Sequence, residues 1–225
     1  MNSRFTVAML LLALPLCSGQ VVDRMVAVVN KHVVLQSELE QEVRVDFMLR
    51  GLPLAQATTT EIEAMLERLI DQSLLQQQIL ATTIVDPSAE ELAEGLRKLR
   101  AGIPGAQDDA PWQTMLAAYG IDERDVEAHI AAQLRLLRFI DLRFRALTRV
   151  DRVAVTAYYQ QEFLPERRKQ GLPEPALADV FRQIEALLVD QRINSLLNDW
   201  LATLRSQADV RKLAQVSGLS SGATP

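Results

Sequence analysis

Residues 21–42 read "VVDRMVAVVNKHVVLQSELEQE". Two runs rich in β-branched residues flank a polar break, and a helical signal follows at once. This stretch constrains the fold more than any other. A lone two-stranded hairpin is marginal in water, so a chain that contains one must supply a further strand or a packed helix to cover it. The core of the first run, "MVAVV", is apolar at successive positions and should therefore be covered on both sides for part of its length. Asn30 suits the left-handed conformation of a tight loop. Val33–Leu35 reads as the return strand. The third strand is expected from "ADVRKL" (208–213), close to the other end of the chain.

Between these strands the chain reads as helix. Ser37 and Glu40 form a capping box for a first helix, with Leu39, Val43 and Phe47 on one stripe. Thr60 with Glu63 caps a second helix running to about Ile84, and Ser88 with Glu91 caps a third ending near Arg100. "AGIPGAQDDAP" reads as a loop. A short helix, Trp112–Tyr119, stops at Gly120. Asp122 caps a long helix with Val126, Ile130, Leu134, Leu137, Ile140, Phe144 and Leu147 at helical spacing. The stretch 153–171 is helical in composition but contains Pro165. "LPEP" (172–175) breaks the chain. A last helix runs from Ala176 to about Gln207, with Val180, Ile184, Leu187, Leu188, Leu197, Leu201 and Leu204 inward. The expected fold is mainly α: about six helices in one bundle-like domain, with a small antiparallel sheet joining the N-terminal hairpin to the C-terminal strand.

The first 19 residues read as a leader. Arg4 supplies a positive start, "FTVAMLLLALPLC" is an apolar run too short to span a bilayer, and "CSG" offers small residues before Gln20. A cleaved signal peptide is the reading, against an uncleaved anchor or a lipoprotein, whose motif Leu16 disfavours. Cleavage would remove Cys17, the single cysteine of the sequence. A chain without thiols suits an oxidising envelope space. The expected domains are thus the signal peptide (1–19), one folded domain (20–213, with an N-terminal part 20–150 and a closing helix and strand 176–213) and a disordered tail (214–225). The net charge of −5 argues against nucleic acid or an anionic membrane as the main partner.

Catalytic constellations are sparse. Of the two histidines, His32 reads as a solvated turn residue and His129 as a boundary packing residue, so no zinc site is expected. HExxH, GxGxxG and Walker patterns are absent from the sequence. Most Asp and Glu clusters fall in first turns of helices, where negative charge offsets the dipole. No cofactor is called for. What remains is apolar surface: Met48, Leu52, Leu54, Trp112, Met115 and Tyr119, beside or within loops and short helices, are the candidate lining of a crevice for extended peptide.

The opening stretch resembles the start of the SurA-like periplasmic chaperones, in which such a hairpin leads into the first helix. "MLERLIDQSLLQQQ" (65–78) is similar to that family's second helix and "PSAEELAEGLRKLR" to the next. "YGIDERDVEAHIAAQLRLLRFIDLRFR" and "INSLLNDWLATLRSQADVRKL" resemble its later helix and its closing helix and strand. The resemblance covers roughly Val21 to Arg149 and the closing segment. It departs in one respect. Members with parvulin-type prolyl isomerase domains carry them between these halves, whereas here the connecting stretch 152–176 is too short for one and holds neither His nor Cys. The resemblance implies an ATP-independent periplasmic chaperone for unfolded or outer-membrane clients, without enzymatic activity. The alternatives are a parvulin-related prolyl isomerase and a structural subunit of an envelope assembly machine. These patterns leave the oligomeric state open.

Overall fold

The computed structural model describes residues 23–213, so the expected leader (1–19) and tail (214–225) lie outside the described residues. The chain forms β1 (Met25–Val29), β2 (His32–Leu35), α1 (Gln36–Leu49), a 3-10 turn (Leu54–Gln56) and α2 (Thr59–Leu80). Then come α3 (Ala89–Gly102), α4 (Asp109–Tyr119), α5 (Glu123–Arg143) and a second 3-10 turn (Arg145–Leu147). α6 (Arg152–Tyr158) passes through a π-helical turn (Tyr159–Phe163) into α7 (Leu164–Lys169) without a break. α8 (Leu177–Gln207) and β3 (Val210–Lys212) close the order. The protein is mainly helical, with one small antiparallel sheet, as the sequence leads one to expect.

The sheet order is β2-β1-β3, so the first strand is central and the two ends of the domain meet on it. Ala27 pairs with Lys212, Val28 with Arg211 and Val29 with Val210. On the other edge the register slips between Met25 and Ala27. That bulge lets the adjacent residues Val26 and Ala27 both be buried, which accounts for the unbroken apolar run. Asn30 has φ 59°. Its side chain donates to Gln77 Oε1 at 2.8 Å and accepts from the Asp209 N–H at 3.0 Å. One residue therefore ties the hairpin tip to α2 and to the segment entering β3.

Three helix starts differ from expectation, and one is α4, which begins at Asp109 rather than Trp112. α1 begins at Gln36, so Ser37 lies inside it. The first turn is satisfied by Glu38, which accepts the Leu35 N–H at 3.5 Å, and by Asp23, whose carboxylate accepts the Ser37 N–H at 3.2 Å and the Ser37 hydroxyl. α2 starts from Thr58 and Glu61 rather than Thr60 and Glu63. The earlier box adds helix and lets Glu61 meet Arg50 at 3.4 Å. The Ser88 box and the Asp122 cap stand as read, and Asp125 completes a box with Asp122.

The core has three parts. The sheet, α1 and α2 enclose Val26, Val29, Val34, Leu39, Phe47 and Ile70, with Leu201 and Leu204 of α8 against them. The opposite face of α1, α4 and α5 enclose Val45, Met48, Trp112, Leu116 and Val126, with α3 leaning on them through Leu92, Leu96 and Leu99. A smaller cluster of Val155, Val180 and Ile184 holds α6 to the first half of α8, with Tyr158, Tyr159, Phe163 and Phe181 half-buried around it. α8 thus serves two cores. Between them Trp200 stacks on Phe139 (5.5 Å) and meets Phe144 edge-on (5.7 Å).

The inward stripe of α5 also changes along its length. Val126 and Ile130 are buried as expected, but Leu137 and Leu147 are exposed and Phe139 is buried in their place. The cause is that the helix ends at Arg143 and the chain turns, so the stripe cannot continue to Leu147. Leu187 of α8, also read as inward, is exposed.

Candidate functional site

Met48, Leu52, Leu54, Trp112, Met115 and Tyr119 gather where the end of α1, the following loop and α4 converge. They divide by depth. Met48 is 1% exposed and Trp112 is 0% exposed, and both belong to the core. Trp112 Nε1 donates to Glu123 Oε2 at 2.6 Å, and the Arg100 guanidinium lies 5.4 Å from its ring centre. Side chains so enclosed support a surface rather than form one. Met115 is half-buried against this core, and Leu52 and Leu54 against the neighbouring one, while Tyr119 touches both. The Tyr119 hydroxyl donates to the Leu52 carbonyl at 3.1 Å, and Arg44 donates to the Tyr119 carbonyl at 3.1 Å. Leu52 and Tyr119 are therefore held together at the edge, 67 residues apart in sequence.

A cavity of about 280 Å³ lies elsewhere, between the hairpin tip, α1, α2 and α5. Leu69, Leu75, Ile79 and Leu136 contribute apolar walls, and Gln72, Gln76 and Gln133 contribute amides. Both histidines line it. His129 Nδ1 sits 3.2 Å from Glu42 Oε2, and its Nε2 sits 2.7 Å from the Gln133 amide nitrogen. The set is self-consistent when Nδ1–H donates to the carboxylate and Nε2 accepts from the amide. His129 is thus more than a boundary residue: it joins α5 to α1. Reading along the sequence missed this because Glu42 and His129 stand 87 positions apart. No group of three or more His, Cys, Asp or Glu side chains that could hold a metal ion occurs among the described residues.

A third feature is exposed aliphatic surface where α5 gives way to α6. Leu137, Leu142, Leu147 and Val153 all face solvent. The periodicity of α5 concealed it by placing Leu137 and Leu147 inward. The signal that could have revealed it is the run of arginines from Arg143 to Arg152, which marks the segment as surface.

With the hairpin, the closing strand and a single long helix returning to the first core in view, comparison with known proteins gives one informative match. The chain is similar, at a distance, to a chaperone SurA. That protein, from Nitrosococcus oceani, is 29% identical over 204 aligned residues. The alignment covers 85% of this chain but 45% of SurA, so the chain spans about half the length of the relative it matches. No family model matches the sequence. The likeness is therefore SurA-like at the level of a distant family relationship. No helix among the described residues is long and apolar enough to cross a membrane.

Proposed function

We propose that this protein is an ATP-independent holder of unfolded envelope proteins, outer-membrane proteins among them, working in the periplasm after removal of residues 1–19. The distant similarity to chaperone SurA across most of the chain carries the reading. The closed hairpin-to-strand domain (20–213) and the exposed aliphatic residues at the α5–α6 junction support it. Client affinity comes from apolar burial at about 25 cal/mol per Å² of surface. Spread over shallow surfaces, it is weak and reverses without an energy source. In this reading Leu52, Leu54, Met115 and Tyr119 form a client-facing edge, backed by Met48 and Trp112.

The test is light scattering of a chemically denatured β-barrel protein diluted into buffer. Excess mature protein should suppress aggregation without nucleotide. Undiminished scattering would sink the reading. A pulldown dominated by one stoichiometric partner would favour a subunit of an assembly machine instead.

A second reading, a prolyl isomerase or another catalyst, has one observation behind it: the Glu42–His129–Gln133 chain in the cavity. The short connection through α6 and α7 weighs against a parvulin-type site. Turnover of a proline-containing test peptide above background, lost on His129→Ala, would establish catalysis.

A further inference from the structure

The sequence carries a net charge of −5, yet residues 142–153, "LRFRALTRVDRV", hold four arginines and one acid. The acid is already engaged: Asp151 caps α6 by accepting the Ala154 N–H at 2.8 Å. Arg145 is neutralised from outside the segment by Asp141 at 2.7 Å. Arg143 and Arg152 make no ion pair among the described residues. Each lies on an aromatic ring of α8, Arg143 at 4.3 Å from Trp200 and Arg152 at 5.9 Å from Phe181. A ring fixes a guanidinium in place while leaving its full charge to the surroundings. Arg149 is exposed and makes no ion pair among the described residues.

The two rings also set the scale. At 1.5 Å per residue, Phe181 and Trp200 are roughly 28 Å apart along α8. The segment is thus pinned at both ends over a length that suits an extended peptide of about eight residues. Along it, Leu142 is 60% exposed, Leu147 76% and Val153 75%. Cationic and aliphatic groups alternate along a strip that the other described residues leave exposed.

We propose that this strip binds extended peptide segments in which acidic residues alternate with aliphatic ones. The inference rests on the holder function above and assigns it a second contact surface and a charge preference. Charge complementarity selects the occupant. A carboxylate opposite Arg143, Arg149 or Arg152 meets a cation that makes no ion pair among the described residues, and an aliphatic side chain covers Leu147 or Val153. A peptide bearing lysine in the same places meets repulsion. An anionic lipid surface is disfavoured because residues 148–151 are not helical and present no continuous apolar face for insertion.

The experiment uses fluorescence anisotropy with two labelled peptides that share their leucine and valine positions and differ only in carrying glutamate or lysine between them. The full-length mature protein should bind the glutamate peptide about tenfold more tightly, and raising the salt to about 0.5 M should remove most of that preference. Arg149→Glu and Leu147→Asp should each weaken glutamate-peptide binding about tenfold. Both side chains are exposed, and a melting curve equal to the parent's verifies that the fold is intact. Equal affinity for the two peptides, or binding untouched by both substitutions, would overturn the proposal. So would Arg149-dependent binding to phosphatidylglycerol vesicles without any peptide preference. The same variants in the scattering assay separate this proposal from the broader reading. Full suppression by parent and variants alike, with no peptide preference, removes the strip and leaves the holder. No suppression by the parent removes the holder, whatever the peptides do.

Discussion

Asn30 concentrates several jobs in one side chain. It adopts a left-handed backbone that costs most other residues about 1 kcal/mol. It also makes hydrogen bonds to Gln77 and Asp209. Asn30→Ala should lose both the backbone preference and the bonds, about 2 kcal/mol in all, while Asn30→Gly should recover the backbone part. Urea unfolding of the pair measures the split, and an alanine variant no weaker than the glycine one would contradict it. Glu91 makes a different kind of prediction. Hydrogen bonds from the Ser88 backbone, with Arg138 and the Ser88 hydroxyl adding to them, hold its carboxyl down to about 2. Asp23, bonded to Ser37, is lowered as well. In the unfolded chain these groups take up protons at higher pH than in the folded one, so stability rises with pH across that window. The contribution of Glu91 is complete above its ordinary value and is lost as pH falls through about 2. The stability gap between parent and Glu91→Gln should therefore be widest above about pH 5 and close towards pH 2. A gap independent of pH would count against this account.

At the scale of elements, α8 and β3 act as one clasp. Arg205 donates to Glu67 at 3.0 Å and to Asp71, while Lys212 of β3 reaches Glu67 from the other side. Lys212, with Arg205 adding to it, keeps Glu67 below the usual carboxylate range. β3 supplies the second ladder of the central strand, and Leu201, Leu204 and Val210 cover its core. Deleting residues 208–225 should cost on the order of 3 kcal/mol or more, since it opens the β1 ladder and uncovers apolar side chains. Overlapping thermal melts of the truncation and the parent would show that the clasp is dispensable. Element existence was legible because capping boxes and apolar spacing are local properties. Ser88 with Glu91, and Asp122, marked their helices correctly. Thr58 and Thr60 could not be separated locally, because each has a glutamate three residues on; in the structure the Thr58–Glu61 box forms, and Glu61 also meets Arg50 just past α1.

At the scale of the molecule, the two main cores share α1, whereas the third stands at the far end of α8 with Val155, Val180 and Ile184 buried. Few buried side chains mean a low local free energy of opening. Amide hydrogens of Arg152–Lys169 should exchange well before those of α2, a difference that hydrogen-exchange mass spectrometry resolves. Equal protection would mean that this end is as firmly packed as the rest. A loosely held end next to the Arg143–Arg152 strip gives the molecule a place to adjust to chains of different sequence without disturbing the sheet. The candidate site was less legible than the fold for a related reason. The grouping of Leu52 with Tyr119 joins different cores, and the pairing of His129 with Glu42 joins different helices, so neither leaves a local pattern.

The sequence alone determined the hairpin, the left-handed Asn30, the closing strand, the helix starts at Ser88 and Asp122 and the absence of a parvulin-sized insertion between the halves. Each follows from propensity, capping or spacing within a few residues, or from length. The tertiary structure decided which apolar residues stay in water. Met48 and Trp112 have the composition of a binding surface, yet the packing of α1 against α4 and α5 encloses them. Leu137 and Leu147 have core spacing, yet both are exposed, Leu147 because α5 ends at Arg143 and the chain turns before reaching it. Burial depends on what another element places opposite a side chain, and that information lies outside the side chain's own neighbourhood in sequence.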